Sequence, residues 1–160
     1  MDPFDEEILN LWKSLDQHKV VYIMVGGFAT NLHGFQRHTG DIDLWIKDTI
    51  ENRRNLRSAL NEIEAGDLID IETKDFLPGW STIYLASGFE VDLMTSLKGF
   101  AQVAFDDSYA KSPTAVIYDI PIKFLHLNQL IEEKKASGRS KDLIDVIELE
   151  KIKNEKQAGE

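Results

Sequence analysis

Cysteine is absent from the 160 residues, which excludes a disulfide framework, a thiolate metal site and a cysteine nucleophile, and favours a reducing compartment. The four histidines lack metal-ligand spacing such as H-E-x-x-H, so a histidine-held zinc has no basis in the pattern. No apolar run approaches the roughly 18 residues of a membrane span. The start, Met1-Asp2-Pro3-Phe4-Asp5-Glu6-Glu7, is acidic where a secretory signal is basic. A cytoplasmic protein with no membrane partner is the expectation. Positive charge is also scarce: 18 Lys and Arg against 28 Asp and Glu leave a net charge of −10. Generic nucleic-acid binding relies on a basic surface that displaces counterions, so it is disfavoured. An acidic chain can still handle a polyphosphate if divalent metal accompanies it.

What is present suits one globular domain, with 42% hydrophobic and 29% charged residues and a length within the usual range of about 100–200 residues. No internal repeat, low-complexity linker or domain boundary interrupts it. Residues 1–160 are read as a single α+β domain: an N-terminal helix over 4–18, a mixed-sheet core over about 20–125, and C-terminal helices within 127–155, broken at Gly138. Ile8, Leu9, Leu11, Trp12 and Leu15 recur at helical spacing. Val20 to Val25 is a continuous β-prone run closed by Gly26-Gly27, and Phe28 to Gly34 fits a short helix.

Asp41-Ile42-Asp43-Leu44-Trp45-Ile46 alternates strictly, which predicts a half-buried strand with Asp41, Asp43 and Trp45 on its open face. A helix is expected over about 49–64. A hairpin is expected from 81–85 and 89–94, with short later strands at 115–118 and 122–124.

Fifteen aspartates make about one or two Asp-x-Asp pairs a chance expectation, so the pair gains meaning only from context. Residues two apart on a strand lie roughly 6.6–6.8 Å apart on one face, close enough for Asp41 and Asp43 to converge on one ion or two adjacent ones. Magnesium takes such carboxylate oxygens at about 2.0–2.1 Å and shares them with substrate phosphates. Asp92, opposite Val91 and Leu93 in a later apolar strand, completes a candidate triad, and Glu90 shares its face. Gly26-Gly27 has two readings, a plain tight turn or a side-chain-free approach for phosphate oxygens to backbone N–H groups at a helix start. Neither G-x-G-x-x-G nor Gly-Lys-Ser/Thr is present, which removes the dinucleotide-fold and P-loop readings.

Together, Gly26-Gly27-Phe28-Ala29, His33-Gly34, Arg37-His38-Thr39-Gly40-Asp41-Ile42-Asp43-Leu44 and Val91-Asp92-Leu93 resemble the nucleotidyltransferase superfamily, whose fold is shared with DNA polymerase β. The tail from Leu130 to Asp145 resembles that of small bacterial nucleotidyltransferases related to the AbiEii toxins of toxin–antitoxin systems. The resemblance implies a magnesium-dependent transfer of a nucleotidyl group from an NTP, such as ATP, to an acceptor, with release of pyrophosphate. Asp41 and Asp43 would then hold the metal, two ions being the family arrangement. Asp92 would complete the site as ligand or base, and Gly26 and Gly27 would cradle phosphates. The acceptor would be a tRNA or protein, as in toxin-like members, or a small hydroxylated compound, as in antibiotic adenylyltransferases. A second copy of the chain or an antitoxin would complete a compact site. A non-catalytic nucleotide- and metal-binding module is the alternative from another class.

Around this core, Arg37 and Thr39 are candidate contacts to triphosphate or acceptor. Lys134 lies near the apolar face of its helix, where a lysine needs a partner, and is read with Lys141 as a phosphate contact. The alternative for Lys141 is an i,i+4 pair with Asp145. Arg139 is open between such roles, and Asp142 and Asp145 are expected to hold the last helices. His33 is read as a packing residue and His38 as an exposed loop residue. Trp45 is either packed or a base-stacking surface.

Overall fold

The computed structural model describes residues 3–74 and 80–159; Met1 and Asp2 of the acidic start lie outside them. Seven α-helices and six strands occur among the described residues. Helix α1 (Pro3–Gln17) buries Leu11, Trp12 and Leu15, as its spacing predicts, and stacks Trp12 on Tyr22 with ring centroids 6.1 Å apart. Strand β1 (Tyr22–Val25) runs directly into α2 (Gly26–Leu32), so the Gly-Gly pair is the first turn of the helix, not a spacer before it. Strand β2 (Asp41–Ile46) follows, then α3 (Ile50–Glu62), whose cap is Thr49: its hydroxyl accepts from the backbone N–H of Asn52 at 3.1 Å. Buried Asn52 returns the connection to β1, accepting from Val21 N at 2.7 Å and donating to the carbonyls of Val21 and Lys47.

After the short α4 (Asp70–Thr73) come β3 (Trp80–Tyr84) and β4 (Glu90–Met94), the expected hairpin. The main sheet has the order β1-β2-β4-β3; β2 runs parallel to β4 and antiparallel to β1. It is mixed, as read from the sequence. Period-two alternation sorts it into two faces. Tyr22, Met24, Ile42, Leu44, Ile46, Val91 and Leu93 are buried on the face that meets α1. Asp41, Asp43, Trp45, Asp92, Thr82 and Tyr84 share the other, as the register requires.

That second face is open only at one end. Of the two readings of Trp45 the packed one holds, for it is fully buried: Phe105 meets it edge-on at 5.2 Å, Phe100 lies at 6.2 Å, and its indole Nε1 donates to Thr95 O at 3.0 Å. Base stacking by Trp45 is thereby excluded. Phe105 comes from α5 (Phe105–Lys111), a helix of seven residues too short to show a periodic pattern in the sequence.

Strands β5 (Thr114–Ile117) and β6 (Ile120–Lys123) form a separate two-stranded sheet. They turn at Tyr118 and Asp119, with φ of 49° and 66°, so Tyr118 is a turn residue and not the end of a strand. Leu125 N then donates to Met24 O at 2.9 Å, joining this hairpin to β1. Helices α6 (Leu127–Ser137) and α7 (Ser140–Ala158) close the chain, and Gly138, with φ of 68°, makes the left-handed stop between them. No helix of the described residues is long and apolar enough to cross a membrane.

Candidate active site

Asp43 and Asp92 are register partners across the parallel β2–β4 pair, and Asp41 pairs with Glu90 in the adjoining row. Parallel pairing with the acids in one phase sets all four carboxylates on one face. Asp41, Asp43 and Asp92 each offer an oxygen, and these three atoms lie within 4.8 Å of one another. All three residues are half-buried, whereas Glu90 is exposed.

Such a cluster is costly in the absence of a cation. Burial, then the charges of Asp41 and Asp92, push the Asp43 carboxyl from 3.8 up to about 8. Burial, then Asp92, raises that of Asp41. Three hard oxygen donors that repel one another suit a divalent cation such as magnesium. The residues present therefore fit a divalent cation, as the family resemblance implies.

The glycines are explained by what surrounds them. Gly26 has φ of +68°, and a Cβ there would stand 2.1 Å from Asp43 Oδ2. A Cβ on Gly27 would stand 2.5 Å from Thr39 Oγ1 and 3.1 Å from Arg37 Nη2. The missing side chains thus let Asp43, Thr39 and Arg37 close against the start of α2, which has no side-chain cap. Thr39 is tied locally, its hydroxyl donating to Asp41 O at 3.2 Å. Arg37 reaches the other way: its Nε lies 3.4 Å from Asp145 Oδ1.

Asp145 belongs to a buried ionic chain joining α6 and α7. Lys134, expected to contact phosphate, is 3% exposed and places Nζ 2.8 Å from Asp145 Oδ2 and 3.8 Å from Asp142 Oδ1. That pairing satisfies the lysine on the apolar face of its helix, although its charge also bears on Asp43. Arg139 Nε donates to Asp142 Oδ2 at 2.7 Å. Burial opposes ionisation of Asp142, but the Arg139 guanidinium holds its carboxyl below the ordinary value. Lys141 is exposed and its charge reaches Asp41, while Asp145, its alternative partner, is engaged by Lys134 and Arg37.

The structure brings Gly26, Gly27, Arg37, Thr39, Asp41, Asp43 and Asp92 into one contiguous site, with Lys134 behind it. His33 is buried, its Nε2 is 2.7 Å from Leu125 O, and its ring meets Phe124 at 4.9 Å; burial lowers its pKa. It packs, and His38 is exposed. Two residues on the site's face escaped the sequence reading. Thr82 donates to Asp92 Oδ1 at 2.6 Å, and Tyr84, register partner of Glu90, is 58% exposed. The period-two phase of β3 relative to the strand bearing Asp92 was the available signal.

No protein-family model matches the chain, and no curated protein is significantly similar in sequence. Solved structures are similar over nearly the whole length. The antibiotic-resistance factor ANT(2'')-Ia is 14% identical with a TM-score of 0.62, the match covering 99% of this chain and 94% of that one. The nucleotidyltransferase fold is shared. The lincosamide antibiotic adenylyltransferase LnuA, bound to lincomycin, is 15% identical at a TM-score of 0.59, over 92% of this chain and 96% of that one. TM1012 of Thermotoga maritima, assigned to the nucleotidyltransferases, is 16% identical at 0.56, over 97% and 96%. Within this nucleotidyltransferase fold, Asp41, Asp43 and Asp92 are the three acids of one face.

Proposed function

We propose that the protein is a magnesium-dependent nucleotidyltransferase that moves the nucleotidyl group of an NTP to a hydroxyl of a small acceptor and releases pyrophosphate. The convergence of Asp41, Asp43 and Asp92 within 4.8 Å, beside the Gly26-Gly27 start of α2, carries this reading. The three carboxylates would hold the cation. When bound, it would neutralise triphosphate charge and favour in-line displacement at the α-phosphorus. Asp92, paired with Thr82 across β3 and β4, would orient the acceptor hydroxyl, as ligand or as base for its proton. As the acceptor oxygen bonds to the α-phosphorus, the bond to the β-phosphate oxygen breaks and pyrophosphate departs. Backbone N–H groups at the uncapped start of α2 would orient phosphate oxygens, with Arg37 and Thr39 beside them. Lys141 would add positive charge from the solvent side, and Lys134 from behind Asp43.

A small acceptor is favoured by length. The chain matches almost all of ANT(2'')-Ia and of LnuA, whose structures include adenylyl-2''-tobramycin and lincomycin respectively. A net charge of −10 disfavours an extended RNA footprint. The tRNA or protein acceptor, and with it a toxin role, draws on the Leu130 to Asp145 tail alone. Incubation with each α-labelled NTP and magnesium, against hydroxylated small molecules, bulk tRNA and cell protein in separate arms, tests the assignment. Label in the small-molecule arm is expected; label confined to tRNA or protein replaces the acceptor, and label in none contradicts transfer.

A further inference from the structure

Thr82, Asp92 and Asp43 form one row across three adjacent strands. Thr82 is the register partner of Asp92 across the antiparallel β3–β4 pair, and Asp92 is the partner of Asp43 across the parallel β2–β4 pair. Within that row the Thr82 hydroxyl donates to Asp92 Oδ1 at 2.6 Å. Ile83, the next residue, is buried on the other face, so the phase of β3 leaves Thr82 on the side of the acids.

The physical problem at Asp92 is orientation. Its carboxylate turns about two side-chain torsions, and on the neighbouring strand it meets Asp41, with which it shares a hydrogen bond, and Asp43, whose charge opposes its own. A hydroxyl on the opposite side supplies a charge-assisted hydrogen bond that pulls one oxygen toward β3. A carboxylate has about four lone-pair sites, so one donor leaves the second oxygen and part of the first free for a ligand.

We propose that Thr82 is the positioning residue of the third carboxylate, its hydroxyl fixing the Asp92 plane so that the remaining oxygen capacity converges with Asp41 and Asp43 on one divalent cation. This rests on the reading of the triad as a metal site. Donors of this kind to ligating carboxylates usually contribute about 10–100-fold to metal affinity or activity.

The test is calorimetric titration of the full chain with Mg2+, and separately with Mn2+, before any nucleotide is added. Wild type, Thr82→Val, Thr82→Ser and Asp92→Asn are compared. Valine keeps the branched shape and the preference for a strand, and replaces the hydroxyl with a methyl group. Thr82→Ala supplies the hydroxyl-free arm if the valine variant does not fold. Thr82→Val is expected to bind the cation about 10–100-fold more weakly, and Thr82→Ser within about threefold of wild type. A merely structural threonine would lower the melting temperature without altering cation affinity. Cation binding by Thr82→Val at wild-type strength, or equal weakening in the serine variant, overturns the role of Thr82. Equal binding by wild type and Asp92→Asn overturns the metal-site reading and the inference with it. Loss in Asp92→Asn with no loss in Thr82→Val overturns the inference alone.

Discussion

Asp43 stands directly across the parallel β2–β4 pair from Asp92, and burial first, then the charges of Asp41 and Asp92, raise its carboxyl to about 8. Placing like charges opposite one another on a sheet is destabilising. The arrangement is therefore coherent as a receptor for positive charge.

A pH dependence follows. An acid whose folded pKa is raised favours the folded state when protonated. The contribution of Asp43 to metal-free stability is then fully present below 3.8 and is lost as pH rises through about 8. Cation binding must displace the Asp43 proton, so affinity for Mg2+ should weaken by about tenfold per pH unit below pH 8. Calorimetry in buffers of differing ionisation enthalpy checks this, with proton release expected near neutral pH. Constant affinity without proton release would contradict the Asp43 assignment.

Gly26→Ala meets two obstacles, a φ of +68° and a Cβ 2.1 Å from Asp43 Oδ2. The backbone alone accounts for about 1–2 kcal/mol. The clash additionally displaces the carboxylate, so cation affinity should fall along with stability. Denaturant unfolding and Mg2+ titration of the same sample measure the two effects separately.

Lys134→Met leaves Asp145, 1% exposed, without its 2.8 Å partner, while Asp142 keeps Arg139. Breaking a buried pair from one side costs about 3–5 kcal/mol, whereas replacing both sides with apolar residues is often neutral. Equilibrium unfolding should therefore show a large loss for Lys134→Met and a partial recovery when Asp145→Leu is added, although Arg37 then loses its own neighbour. Equal losses in the single and double variants would contradict the pairing.

Much of the core was legible because its signals are local. The run Val20 to Val25, the alternation of Asp41 to Ile46 and the two segments flanking Gly88 each declare a strand by composition and period. Alternation set Asp41 and Asp43 on one face of β2 and Asp92 opposite Val91 and Leu93 in β4, whereas the parallel pairing that unites them is a tertiary contact. The elements that escaped depend on tertiary contact. Helix α5 is a single short segment fixed by Phe105 against Trp45, and the turn at Tyr118 and Asp119 adopts positive φ without glycine.

The same division holds at the site. Lys134 was legible as a lysine requiring a partner, but its partner Asp145 lies on the following helix, where spacing does not rank one acid over another. Thr82 was hidden because its meaning comes from the β3–β4 register. Gly26 and Gly27 were legible as space beside a helix start, but not as space for Asp43, Thr39 and Arg37.

In the proposed reaction Asp92 completes a catalytic centre and not a passive nucleotide site. Its most direct test measures pyrophosphate release and label transfer from α-labelled NTP with magnesium, for wild type and Asp92→Asn, beside NTP binding to each. Transfer by wild type is expected, with a fall of at least about a hundredfold in Asp92→Asn and NTP binding retained in both. NTP binding by wild type with no transfer to any acceptor fraction, or equal rates in the two proteins, would contradict it.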